Sequence, residues 1–238
     1  MIPVWTYWQG PMPGWIEICL RTLTRHIPEL HVLTPQTWPT WRRDDHGQKL
    51  DRQKPNIISD YIRGHQLYHF GGIWIDADCI AFRDVRPIFQ RLQRHDFVAY
   101  RVGLPEPQLC SALIASQAGG IVATEYLRLL DQRLNNLQQG HLPRLSLGPN
   151  LLKLAKNNVG KQPALIRTER VHPIHWRHKQ RLWQEATDDE HAAAIDFGCD
   201  PFCCMLTHRA LGPLRNLSAD ELLESRSLIG YLFRRSLT

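Results

Sequence analysis

The sequence predicts an α/β protein built on a mixed sheet flanked by helices, and three observations carry that reading. Residues 3–9 are rich in β-branched and aromatic side chains. A helical periodicity and a second short apolar run follow, which is the strand–helix–strand order of a parallel α/β unit. A helix-like segment over 56–70 ends at Gly71-Gly72, and the apolar stretch Ile73-Trp74-Ile75 follows and stops on Asp76-Ala77-Asp78. A continuous apolar run of this kind suits a strand buried on both faces. Short strand-like and amphipathic helical segments then alternate to the end of the chain.

Taken in order, Gly10-Pro11 and Pro13-Gly14 close the first strand. Trp15, Ile18, Cys19, Thr22 and His26 recur at helical spacing until Pro28, and 30–34 is a short strand stopped by Pro35. Residues 36–55, dotted with tryptophan and then charged, read as an irregular surface segment. In the helix at 56–70, Ile57, Tyr61 and Tyr68 share one face, while Asp60, Arg63, Gly64 and Leu67 fall on another. Residues 73–82 read as the central strand, 87–93 as a short helix, and 97–102 and 109–115 as strands. Ile121, Tyr126, Leu129, Leu130, Leu134 and Leu137 mark an amphipathic helix, and Gly148-Pro149-Asn150 opens another. Residues 164–167 with Val171, and 202–206, read as strands. Residues 176–192 carry no clear pattern. Ser218-Ala219-Asp220-Glu221 is a capping box that starts a helix in the tail.

A length of 238 residues and a 43% hydrophobic fraction suit a single domain over 1–238. No stretch reaches the ~18 apolar residues of a membrane span, and no secretion signal opens the chain. The six cysteines are scattered through a chain too long to need staples, which points to reduced thiols and a cytoplasmic protein. The net charge of +6 is spread along the chain without a long basic run. That argues against nucleic acid as partner and is compatible with an anionic ligand or with peripheral association with an acidic membrane face.

Two aspartates flanking one small residue at a strand end present hard oxygen ligands suited to Mg²⁺ or Mn²⁺. A divalent ion there would bind a diphosphate and neutralise the charge that develops as it leaves. The pattern alone is short and recurs by chance in solvated turns. Here it follows Gly-Gly-Ile-Trp-Ile, and a carboxylate among buried neighbours demands a cation or basic partner. Asp60 and Arg63, three residues apart, would in isolation be a surface ion pair worth ~0.2–0.5 kcal/mol.

Together, Ser59-Asp60-Tyr61-Ile62-Arg63, Leu67-Tyr68 and Gly71-Gly72-Ile73-Trp74-Ile75-Asp76-Ala77-Asp78 resemble the Asp-x-Asp glycosyltransferases of family 32, including capsular polysaccharide synthesis proteins. More distantly they resemble the clostridial glucosylating toxins. The opening Ile2-Pro3-Val4-Trp5-Thr6-Tyr7-Trp8-Gln9-Gly10 is similar to that family's first strand. Leu113-Ile114-Ala115-Ser116, Leu147-Gly148-Pro149 and Leu206-Thr207-His208 match more loosely. The resemblance implies a GT-A fold of Rossmann-like type, with residues 1–100 as the nucleotide-sugar half and 101–238 as the acceptor half.

It also implies a retaining hexosyltransferase that uses Mn²⁺ or Mg²⁺. The donor would be a nucleotide-sugar, UDP favoured over GDP, and the acceptor a glycan or lipid-linked saccharide in polysaccharide biosynthesis, at the cytoplasmic membrane face. Carried over, Asp78 would be the direct metal ligand, and Asp76 would contact the ribose and help order the metal. Asp60 and Arg63 would hold donor-sugar hydroxyls, Trp8 and Gln9 would lie near the base and ribose, and His208 would be a later metal or diphosphate ligand. Trp74 stands where the family more often has tyrosine, and Ser111 near a common asparagine. Arg167, Arg177 and Lys179 are candidates to meet the leaving diphosphate.

Two other readings are kept. A dehalogenase-type phosphotransferase also places Asp-x-Asp after an apolar strand, but a Thr or Ser usually follows there, and here Cys79-Ile80-Ala81 follows. A catalytically inactive sugar- or metal-binding protein is the other, with Cys199, Cys203, Cys204 and His208 at spacings that could suit zinc.

Overall fold

A computed structural model describes residues 2–103, 108–137, 141–143, 147–174, 176–195, 197–198, 200–206 and 211–238. The chain groups into two compact units. The first holds Met1–Gln9, His31–Ile75 and Arg86–Ile166, and the second Gly10–Leu30, Asp76–Val85 and Arg167–Thr238.

The first unit is a six-stranded mixed sheet with helices against it. Its strands are β1 (Val4–Tyr7), β2 (Leu30–Leu33), β3 (Gly72–Ile75), β5 (Phe97–Val102), β6 (Gln108–Ser116) and β7 (Ala164–Ile166), in the order β2-β1-β3-β6-β5-β7. The short strand β4 (Cys79–Ala81) belongs to the second unit. β1 and β3 are parallel, with Val4 opposite Ile73 and Trp5 opposite Trp74. β6 runs antiparallel to both β3 and β5, and β7 runs parallel to β5. The expected strands at 97–102 and 109–115 are therefore present.

The glycine pair at the head of β3 has a steric reason. Gly71 and Gly72 have φ of +66° and +95°, in the region that side chains disfavour. A Cβ on Gly72 would sit 2.2 Å from the carbonyl oxygen of Pro3, and one on Gly71 2.5 Å from the Ala118 nitrogen. The Gly71 carbonyl also accepts a 2.9 Å hydrogen bond from the Trp5 indole. Glycine thus lets the chain turn out of the preceding helix directly into the slot beside β1. Gly72→Ala should cost about 2–3 kcal/mol through backbone strain and overpacking. Urea denaturation of the variant checks this, and a midpoint equal to wild type would refute it.

The helices of this unit are α2 (Trp38–Trp41), α3 (Gly47–Asp51), α4 (Pro55–His69), α5 (Ile121–Asn135) and α6 (Pro149–Asn158). α1 (Gly14–His26), α7 (Asp188–Ala194), α8 (Ala219–Glu224) and α9 (Leu228–Leu237) lie in the second unit. α4 packs on β1, β3 and β6 and against α5. A Cβ on Gly64 would approach Leu130 Cδ1 to 2.3 Å, so the glycine permits the close α4–α5 approach. The first two amides of α5, from Ile121 and Val122, are satisfied by the Asp96 carboxylate at 2.8 and 2.7 Å.

Residues 36–55 correct the expectation of an irregular surface. They form two short helices whose apolar members, Trp38 and Leu50, are buried in the core. The segment is pinned by His65 on α4, whose ring is fully buried and whose Nε2 accepts the Arg43 N–H at 3.0 Å. That fixes Nε2 as an acceptor, so Nδ1 donates to Gln66 Oε1 at 3.1 Å. Burial pushes this imidazole down to about 4. Below its ordinary pKa of about 6.5 the unfolded chain takes a proton that the folded chain refuses. Stability is therefore full above pH 6.5 and falls as the pH drops toward 4, by on the order of 3 kcal/mol. Urea denaturation at pH 7 and pH 4.5 should show this loss in the wild type and a shallower one in His65→Asn. Equal slopes would contradict the assignment.

The second unit is built around the two-stranded antiparallel sheet of β4 and β8 (Cys203–Met205), with Cys79 opposite Met205. α1 packs on β4, on α8 (Ala219–Glu224) and on α9 (Leu228–Leu237), and α7 (Asp188–Ala194) packs on α9. The capping box at Ser218 and Glu221 forms as expected. A second box, Thr187 with Glu190, starts α7 inside the stretch that showed no pattern. Val171 is not in a strand: it follows a short 3-10 helix at Thr168–Arg170, and its carbonyl accepts from Met205 N at 3.0 Å. Cys19, Cys79, Cys203 and Cys204 are free thiols, and Cys199 lies outside the described residues.

Candidate active site

The expected central strand over 73–82 is two strands. β3 ends at Ile75, and β4 begins at Cys79 in a different sheet. The interval is Asp76-Ala77-Asp78 itself. A carboxylate cannot extend a strand buried on both faces without a partner, so the chain leaves the first sheet where the carboxylates begin. Asp76 and Asp78 are both half-exposed while Ala77 between them is buried, at 4% exposure. The segment therefore buries the Ala77 methyl and leaves both aspartates partly accessible. Within the second unit, Leu206 N–H donates to the Asp78 carbonyl at 2.8 Å, which extends the β4–β8 pairing by one step. His208 lies outside the described residues.

Asp60 and Arg63 project from one face of α4 in the first unit. The isolated reading of a surface pair is corrected: Asp60 is 7% and Arg63 3% exposed. Arg63 Nη1 donates to Asp60 Oδ1 and to Ser111 Oγ on β6, both at 2.6 Å. Its guanidinium carbon lies 5.2 Å from the Trp74 ring centre on β3. A Cβ on Gly148 would meet both Asp60 carboxylate oxygens, at 2.8 and 2.9 Å. The glycine thus lets the loop before α6 close over the carboxylate. Sequence reasoning singled out Ser111 only as a departure and Gly148 only as part of a loose match. The structure makes both neighbours of the pair.

Trp8 and Gln9 follow β1, and Asp76 follows β3 in sequence; β1 and β3 are parallel neighbours. Trp8 Nε1 is buried with no hydrogen-bond partner among the described residues, and Gln9 Oε1 accepts from the Tyr7 hydroxyl at 2.8 Å. Burial, aided by Asp51, pushes that phenol up to about 12. Of the basic candidates, Arg167 is exposed, Lys179 is half-exposed, and the side chain of Arg177 lies outside the described residues. Asp60, Arg63, Trp8 and Gln9 belong to the first unit, and Asp76 and Asp78 to the second.

Among the described residues no three His, Cys, Asp or Glu side chains converge as a metal cluster. Two half-exposed carboxylates still fit Mg²⁺ or Mn²⁺. Mg²⁺ commonly takes one or two protein carboxylates and completes its shell with water and substrate phosphate oxygens. The buried thiols Cys203 and Cys204 sit inside β8, so zinc finds no assembled site among the described residues.

No protein-family profile matches the chain, and no curated protein does. Among solved structures, the apo-form glycosyltransferase GlyE of Streptococcus pneumoniae TIGR4 matches at a TM-score of 0.55 and 13% identity, covering 100% of this chain and 60% of that one. A second GlyE structure matches at 0.51, also with 13% identity and coverage of 100% and 60%. The chain thus spans 60% of the length of GlyE. The galactosyltransferase LgtC, in complex with donor and acceptor sugar analogs, gives a TM-score of 0.44 at 10% identity, with 72% of this chain and 75% of that one covered. No helix among the described residues is long and apolar enough to cross a membrane. The likeness to GlyE, with the six-stranded mixed sheet and its helices, establishes the expected fold: α/β, of the glycosyltransferase GT-A type.

Proposed function

We propose that the chain is a metal-dependent, retaining glycosyltransferase of the family 32 kind. It would move a hexose from a nucleotide-sugar, a UDP-sugar in preference to a GDP-sugar, to a glycan or lipid-linked saccharide. The observation that carries this reading is the break between β3 and β4, where an otherwise buried run yields two half-exposed carboxylates on either side of a buried alanine. In parallel parts of α/β sheets, ligands bind beyond the carboxyl ends of strands, and Asp76 follows such an end. The GlyE-like fold supports the same class.

Asp78 and Asp76 would hold Mn²⁺ or Mg²⁺, which when bound supplies positive charge to the donor diphosphate. His208, two residues beyond Leu206 in sequence, is the proposed further ligand to metal or diphosphate. Asp60 would accept hydrogen bonds from donor-sugar hydroxyls. Arg63, braced by Ser111 and the Trp74 ring, would hold that carboxylate in place. Trp8 and Gln9 would meet the base and ribose. No carboxylate is assigned as a nucleophile. The protein's contribution would be positioning of the acceptor hydroxyl and stabilisation of the departing diphosphate.

Titration calorimetry of the purified chain with UDP and with GDP, each with and without Mn²⁺, tests the donor assignment. Mn²⁺-dependent binding of UDP is expected. Equal binding without metal would remove the metal from the account, and a covalent sugar trapped on any carboxylate would overturn the mechanism.

A further inference from the structure

α5 and α6 carry a face that the transferase reading does not use. α6 runs back along α5: Asn158 at its C-terminal end donates to the Glu125 carboxylate, near the start of α5, at 2.7 Å. Between the two helices, within the first unit, lies an open groove of about 420 Å³. Leu129, Leu137, Leu142 and Leu154 form its apolar walls, and Arg133 stands beside them. Four large apolar side chains are exposed among the described residues, and two of them are on this helix pair, Ile121 at 50% and Leu154 at 41%. Ile121 shares the outer ridge of α5 with Arg128 and Gln132, seven and eleven residues further on, and Gln132 lines the groove. Apolar surface of this kind with a polar rim marks a contact site.

The charge around the groove is of one sign. Six Lys and Arg fall between Asp131 and Glu169 in the sequence, and no Asp or Glu does. Arg133, Lys153 and Lys161 are exposed and Lys156 is half-exposed. None of these four makes an ion pair with a described residue. Lys153 is the neighbour of Leu154 on α6. Gly160, at φ +66°, ends that helix, and the Lys161 N–H donates to the Lys156 carbonyl at 3.2 Å, so Lys161 stays at the helix end. The carboxylates of α5 are already engaged. Glu125 accepts from Arg128 at 2.7 and 2.8 Å, and Asp131 accepts from the Tyr61 hydroxyl at 3.0 Å.

A second copy docked about a two-fold axis would set these four cations against the same four, and like charges facing each other oppose association. A nucleic acid would meet the cations, but the groove walls carry no aromatic ring for a base to stack on, and Ile121 and Leu154 would stay in water. A bilayer of anionic lipid satisfies both halves of the surface. Its acyl-chain boundary takes the apolar side chains, while Lys and Arg lay their stems along that boundary and present their charges to lipid phosphates. We infer that the α5–α6 face docks on an anionic lipid bilayer, with Ile121 and Leu154 at the acyl-chain boundary and Arg133, Lys153, Lys156 and Lys161 on lipid phosphates. The inference does not depend on the transferase reading, because none of these residues belongs to the proposed donor site.

Co-sedimentation of the full chain with vesicles tests it. Phosphatidylcholine alone is compared with an equal mixture of phosphatidylcholine and phosphatidylglycerol, and soluble dextran sulfate serves as an anionic polymer without acyl chains. The chain should bind the mixed vesicles, not the neutral ones, and more weakly as salt is raised. Lys153→Gln/Lys156→Gln/Lys161→Gln should weaken binding on the order of tenfold or more. Arg21→Gln/Arg215→Gln/Arg226→Gln removes the same charge from exposed positions in the second unit and should bind as wild type does. Ile121→Gln/Leu154→Gln, at exposed positions, should weaken binding about tenfold with net charge unchanged. Thermal unfolding of the variants should coincide with wild type, and so should their binding of UDP with Mn²⁺, so failure here is distinguishable from failure at the donor site. No binding to the mixed vesicles, equal losses in the two charge variants, or full vesicle binding by Ile121→Gln/Leu154→Gln would each overturn the inference. Dextran sulfate bound more tightly than the mixed vesicles would also overturn it, by moving the partner to a soluble polyanion.

Discussion

Replacing Arg63 with methionine should destabilise the protein by roughly 3–5 kcal/mol, the usual cost of removing one partner from a buried ion pair. Asp60 would keep a charge at 7% exposure without the guanidinium that donates to it. Ser111 Oγ would lose the same donor. For a chain of this size that corresponds to a fall in Tm on the order of 10 °C. The double variant Asp60→Leu/Arg63→Met should recover much of the loss, because replacing both charges by apolar groups is often close to neutral. It should nevertheless fail to bind a nucleotide-sugar. Thermal unfolding and calorimetry on the two variants separate the pair's contribution to folding from its role at the proposed site. A single variant within about 0.5 kcal/mol of wild type would show that the pair is not the buried unit described here.

Asp78→Ala should leave folding almost untouched and reduce donor turnover on the order of 100-fold or more. Asp78 is half-exposed, and its carbonyl, which accepts the Leu206 N–H, is kept by alanine. Substitutions at such positions usually change stability by less than about 0.5 kcal/mol. The loss of turnover follows from removing one of two oxygen ligands to a divalent ion. Denaturation curves that coincide with wild type, together with lost nucleotide release, are the expected pair of results. Retained turnover would exclude Asp78 as a ligand.

Much of the architecture was legible in the sequence, and the misses have physical causes. Composition and helical periodicity located β1, β5, β6, α1, α4 and α5: the strands carry apolar runs, β1 buried at every position, and α1 and α5 each bury an apolar face. The apolar run at 73–82 read as one strand because burial on both faces looks the same whether or not the chain changes sheet. The signal was Asp76 itself, a carboxylate that a doubly buried strand cannot carry. Residues 36–55 read as irregular because α2 and α3 span only four and five residues, too few for a period to show. α7 was missed although Thr187-Asp188-Asp189-Glu190 carries the same capping chemistry that identified α8.

At the candidate site, the Asp60–Arg63 spacing was readable, but its burial was not. Burial depends on Ser111, Trp74 and Gly148, which are distant in sequence.

The most direct test is nucleotide release from a panel of UDP- and GDP-sugars by the wild-type chain, with Mn²⁺ and with chelator. The account predicts slow, Mn²⁺-dependent hydrolysis of one UDP-sugar, absent in chelator. Folded wild-type protein that neither hydrolyses any donor nor binds UDP with Mn²⁺ in calorimetry would contradict it.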